Sequence, residues 1–94
     1  MERPEITKID VEPIDYGVYK IFVPDDGYVC DIAANPFFFF HAYEGTFSNP
    51  SADYRSVTFT VDEGTAGRMI KVVAGMGDGL GFVDKKAVLL EGAN

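Results

Sequence analysis

The feature that most constrains this chain is the rhythm of its turn residues. Short runs of β-forming residues are broken by Gly, Pro, Asn or Asp roughly every ten positions. No segment sustains the 3.6-residue apolar period that an amphipathic helix needs. Strands joined by tight turns are what such a pattern can build.

Residues 6–11 form a weak first run. In residues 18–23, Tyr19, Ile21 and Val23 share one face, and Val18, Lys20 and Phe22 share the other. Pro24-Asp25-Asp26-Gly27 follows, with proline presetting φ and glycine free to take the turn geometry. Residues 28–33 resume with Tyr28, Cys30 and Ile32 on one side, which predicts a hairpin with 18–23. Asn35-Pro36 closes that run, and residues 37–43 form the next. Residues 44–55 are polar and turn-rich. Ser56–Val61 alternates, with Val57, Phe59 and Val61 facing in and Thr58 and Thr60 facing out. Residues 69–74 are β-branched at Ile70, Val72 and Val73. The Asp78-Gly79 pair favours a two-residue hairpin. Residues 82–83 and 87–90 then flank a polar Asp84-Lys85-Lys86 turn. The expectation is an all-β fold of about seven or eight short strands. It takes the form of a small antiparallel β-sandwich, with a closed β-barrel as the alternative. One domain spans residues 1–94, and residues 1–15, with Pro4 and Pro13, are expected as an extended N-terminal arm.

Charge narrows the partners. Eight Lys and Arg face fifteen Asp and Glu, giving a net charge of −7. No cationic cluster exists to hold a phosphate backbone or an anionic membrane surface, so neither nucleic acid nor membrane is an expected partner. The acid is unevenly placed. Residues 1–63 hold twelve acids and four bases, and residues 64–94 hold three acids and four bases. That asymmetry can guide self-association. Cys30 is the only cysteine, so a disulfide scaffold is excluded. The N-terminal residues lack the apolar core of a signal peptide, and cytoplasmic synthesis is expected.

The search for chemistry yields no expected catalytic residue, metal ligand or cofactor. His41 is the only histidine, so a Cys-His or Ser-His pair would have to use it, and Cys30 is its one thiol partner. Apolar neighbours around Cys30 would raise the thiol pKa rather than activate it. One His and one Cys do not make a zinc site. Asp25-Asp26 and Asp62-Glu63 offer oxygens to calcium only if two loops meet, and their spacing is unlike an EF-hand. The run Gly75-Met76-Gly77-Asp78-Gly79-Leu80-Gly81 fits no dinucleotide fingerprint and opens no helix. Its alternating glycines strip one face around a hairpin tip, for a flexible turn or for close approach of another backbone.

Phe37-Phe38-Phe39-Phe40 is the most unusual stretch. In a strand two rings go to each face, and a sandwich strand buries one face only. Either Phe37 and Phe39 or Phe38 and Phe40 therefore lie outside the core, with Tyr43 and Phe47 extending the patch. Burying two such rings in a partner would supply roughly 3–6 kcal/mol before association costs. Cover by the N-terminal arm or by residues 44–55 is the alternative. The expected protein interface is Phe37, Phe38, Phe39, Phe40, Tyr43 and Phe47.

In size and strand-rich composition the chain resembles the small decoration (cement) and accessory proteins of bacteriophage particles. The resemblance implies a non-enzymatic structural protein that docks into a homo-oligomer or capsid-like shell and is incorporated into a virion. Its partner would be itself or a larger structural protein, with residues 1–15 as a clamping arm. Two other functions stay open. One is a soluble module binding carbohydrate or calcium-dependent ligands, for which five tyrosines but no tryptophan are present. The other is an acidic inhibitor of a nucleic-acid-binding partner, presenting the eight acids of residues 2–31.

Overall fold

The computed structural model describes residues 3–31 and 34–94, and within them the chain forms nine strands and no helix. These are β1 (Glu5–Ile6), β2 (Asp10–Asp15), β3 (Val18–Phe22), β4 (Tyr28–Val29), β5 (Phe37–His41), β6 (Gly45–Ser48), β7 (Ser56–Val61), β8 (Met69–Gly77) and β9 (Val83–Glu91). A four-stranded sheet has the order β2-β3-β7-β6, a three-stranded sheet the order β5-β8-β9, and β1 pairs with β4 alone. Every pairing is antiparallel, and none of these sheets closes into a barrel. The sandwich is the architecture observed.

The alternation that predicts a strand also places its core. Val57, Phe59 and Val61 of β7 and Ile21 of β3 are buried on the inner face of the four-stranded sheet. They meet Ile70, Val72 and Leu90 from the three-stranded sheet in one apolar cluster. A second cluster, Ile6, Val23, Ala74 and Met76, continues the core beneath β1 and β4. The molecule measures 46 × 21 × 18 Å, so this core is a single interdigitated layer drawn out lengthwise.

Several local expectations change. Among the described residues 28–31 only Tyr28–Val29 is a strand, and it pairs with β1 rather than β3; Ile32 and Ala33 lie outside the described residues. The 24–27 turn does form, with the Gly27 N–H donating to the Pro24 carbonyl at 2.8 Å. Thr7 and Lys8 both donate to the Gly27 carbonyl, which draws the chain towards β1. The weak run at 6–11 divides between β1 and β2. Residues 5–6 and 10–15, inside the stretch expected as an arm, are paired within the chain. Pro13 sits in edge strand β2 beside a register shift, where a missing N–H costs no ladder bond. The polar stretch 44–55 contains β6, whose Phe47 turns inward against Phe59.

The largest change is at the glycine-rich run. Gly75 and Gly77 lie inside β8, not at a hairpin tip, and Asp84-Lys85-Lys86 lies inside β9, not in a turn. The connection spans residues 78–82, longer than a two-residue hairpin, because the buried Asp78 carboxylate accepts the N–H groups of Leu80 (2.8 Å) and Phe82 (3.2 Å). Lys85 and Lys86 are tolerated in a strand because β9 is an edge. Asp84 accepts the Ile6 N–H at 2.7 Å, so a charge that reads as turn chemistry instead ties β9 to β1.

Candidate protein interface

Strand β5 divides the four rings by parity. Phe38 and Phe40 face inward and pack on the second core cluster, opposite Met76 and Ala74. Phe37 and Phe39 face outward, and their rings stack with centroids 6.2 Å apart. The outward pair is thus Phe37 and Phe39. They register with Gly77 and Gly75, and a Cβ on either glycine would run into the ring opposite it. The glycines leave a flat track on β8, and the phenyl rings lie down in it. The group that approaches this glycine face is the chain's own pair of rings, so the flexible-turn and foreign-backbone readings of these two glycines both give way.

The rest of this outer face is mostly apolar, with Lys71, Lys85 and Glu91 as its charges. Phe37 is 50% exposed, Met69 54%, Val83 54% and Leu89 61%. Val73 and Ala87 fill the middle, and Lys71 and Lys85 are the cations. Tyr43, 88% exposed, stands edge-on to the His41 ring at 4.7 Å and prolongs this face. Phe47 does not join it. Its ring lies 4.9 Å from Phe59 and 6.1 Å from Phe40, between the sheets.

The six aromatic residues therefore belong to two places. Phe37, Phe39 and Tyr43 form an outer platform. Phe38, Phe40 and Phe47 line an apolar groove of about 280 Å³ at the open seam between β5 and β6, with Pro50, Tyr54 and Val57, and Phe39 reaches its rim as well. Tyr54 takes a left-handed backbone (φ 59°), as does Asn49 (φ 50°). A polar knot holds this loop. The Arg55 guanidinium bridges Asp25 (2.6 Å) and Asp53 (3.0 Å) and donates to the Val23 carbonyl (3.0 Å). The Ser51 hydroxyl, donating to Asp53 at 2.7 Å, does most to hold that carboxyl at about 2, and the Arg55 N–H and guanidinium add to it.

The other candidates separate. Cys30 packs against the inner cluster of Ile6, Val23, Ala74 and Met76, whereas His41 lies on the outer face of β5. Asp25 is engaged by Arg55 and Asp26 by Lys8 at 3.7 Å. Among the described residues no three His, Cys, Asp or Glu side chains converge as a metal site would require.

Met69, Lys71, Val83, Lys85 and Leu89 belong to the outer face although the aromatic run does not point to them. Their signal is present in parity. Residues 69, 71, 73, 75 and 77, and 83, 85, 87, 89 and 91, each form a side of a strand that would read as polar if that face were solvated. No protein-family model matches the chain, and comparisons with curated proteins and with solved structures return no match.

Proposed function

We propose that this chain is a non-enzymatic assembly subunit that docks through the outer face of β5-β8-β9 into a homo-oligomer or a larger shell, as the decoration and accessory proteins of virions do. The observation that carries the reading is the set of exposed apolar side chains on one sheet face, Phe37 and Val83 at one end and Met69 and Leu89 at the other. With Tyr43 they present on the order of 500 Å², the upper range for the largest patch on a monomer. Flat sheet faces of this kind bury well against a second flat surface and poorly around a small substrate.

Light scattering across a dilution series tests it. The native chain should exceed its monomer mass at high concentration. The double variant Phe37→Ser, Leu89→Ser should remain folded and lose that excess. An excess mass untouched by the double variant, or no excess at any concentration, overturns the reading.

A second reading rests on the groove. Its lining of rings, Pro50 and Val57 carries no charged side chain, which suits a small uncharged aromatic ligand. Titration with indole should move the NMR signals of Val57 and Tyr54, and unmoved signals at millimolar indole discard it.

A further inference from the structure

The register of the outer face gives it two unlike ends. Its rows across β5, β8 and β9 are Phe37–Gly77–Val83, Phe39–Gly75–Lys85 and His41–Val73–Ala87. Strand β5 then ends, with exposed Tyr43 just beyond it, and the last two paired rows are Lys71–Leu89 and Met69–Glu91. One end of the face is three strands wide and padded by the Phe37 and Phe39 rings lying over the glycine track. The other end is two strands wide and carries Lys71 and Met69 on that same central strand.

We propose that a second copy of the chain covers this face, in an antiparallel, face-to-face dimer whose twofold axis crosses the row of Val73. This inference rests on the assembly reading above and specifies the partner and the register. The rotation lays the narrow end of each copy on the padded end of the other. Met69 of one copy then meets the Phe37 ring of its mate, a thioether on an aromatic ring. Lys71 meets the Phe39 ring, an ammonium on a π-face. Leu89 lies over Lys85, and Glu91 lies over Val83, one row from Lys85. Val73 packs on Val73.

Charge selects this face over the others for contact between two copies. Each copy carries −7, so most ways of bringing two copies together oppose carboxylates. In the rows of this face Glu91 is the only acid, against Lys71 and Lys85. Two faces of roughly 500 Å² bury about 1,000 Å² in total, the lower limit for a specific interface. The dimer should accordingly be weak and reversible, populated in the upper micromolar range.

Single-cysteine variants in a Cys30→Ala background test the register with a short bis-maleimide. Val73→Cys, on the axis, should cross-link to its mate. Met69→Cys lies four residues from the axis, about 13 Å on each side, and should not. Charge reversal gives an independent readout by sedimentation. Leu89→Lys should weaken the dimer at least tenfold by facing Lys85 of the mate. Adding Lys85→Glu should restore it to within about threefold, since the two edge positions then attract. Cross-linking at both Val73 and Met69, or no rescue by the paired reversal, overturns this register while leaving the assembly reading intact. A chain that never associates overturns both.

Discussion

The two sheets of this sandwich differ on the sides they turn away from each other. The outer face of β2-β3-β7-β6 carries Asp10, Glu12, Lys20, Thr46, Ser48, Thr58 and Thr60. Its apolar members Val18 and Phe22 are half-buried, Ile14 at the register shift of β2 is exposed, and the Lys20 ammonium stands 5.2 Å from the Phe22 centroid. The outer face of β5-β8-β9 carries Phe37, Met69, Val73, Val83 and Leu89 instead. Both sheets obey the same period of two, so the strand rule alone makes either face available to water. What differs is the residue type at the outward positions. Hydroxyls and charges hydrate one face, and an unpaid apolar surface remains on the other.

Four experiments can break or sharpen that contrast. The largest effect should come from Gly75→Val, which drives a branched side chain into the Phe39 ring. Overpacking of this kind costs about 1–3 kcal/mol. Urea denaturation should show it, and a midpoint unchanged from the native chain would mean that the ring is not seated on the glycine track. Its control is Thr58→Val on the opposite face. It should leave the stability within roughly 0.5 kcal/mol of native and should leave the mass in solution unchanged. If it promoted assembly as strongly as the native aromatic face does, the two faces would be equivalent.

Salt acts more gently. Raising ionic strength from about 0.01 M to 0.15 M shortens the screening length from roughly 30 Å to 8 Å. Repulsion between two −7 chains then fades while apolar contact persists, so association should strengthen several-fold. Weakening with salt would indicate that an ionic face mediates it.

The smallest effect is local and lies at the groove. Asp53, at about 2 in the folded chain against an ordinary 3.8, stabilises the fold at any pH above 3.8. That contribution is lost as pH falls through about 2. The carboxylate is solvent-exposed, so the difference in melting temperature between native and Asp53→Asn should be small, constant above pH 4, and gone near pH 2. A difference that persists at pH 2 would assign the knot's strength to packing instead.

Much of the fold is legible along the chain. The Thr-interleaved alternation of Ser56–Val61 names its buried side correctly, and residues 18–23 divide into the two faces read from their period. The run Phe37–Phe40 announces that two rings must leave the core, and Phe37 and Phe39 are the pair that does. Legibility fails where a residue's local preference is overruled from a distance. Gly75 and Gly77 read as a turn because glycine is poor in strands, yet here aromatic rings from another strand supply the missing side chains. Asp84-Lys85-Lys86 reads as a turn because it is charged, yet a free sheet edge and the Ile6 N–H accommodate it.

Sequence by itself therefore determined the class of structure, the inner face of Ser56–Val61 and the existence of surplus aromatic surface, because these follow from side-chain period and from turn chemistry between neighbours in the chain. Tertiary structure alone decided that Phe47 joins Phe40 in a seam while Phe37 joins Leu89 on a platform. Which residues share a surface depends on strand pairing. That pairing is settled by contacts between segments up to dozens of residues apart, as in the rows that bring Phe37, Gly77 and Val83 side by side.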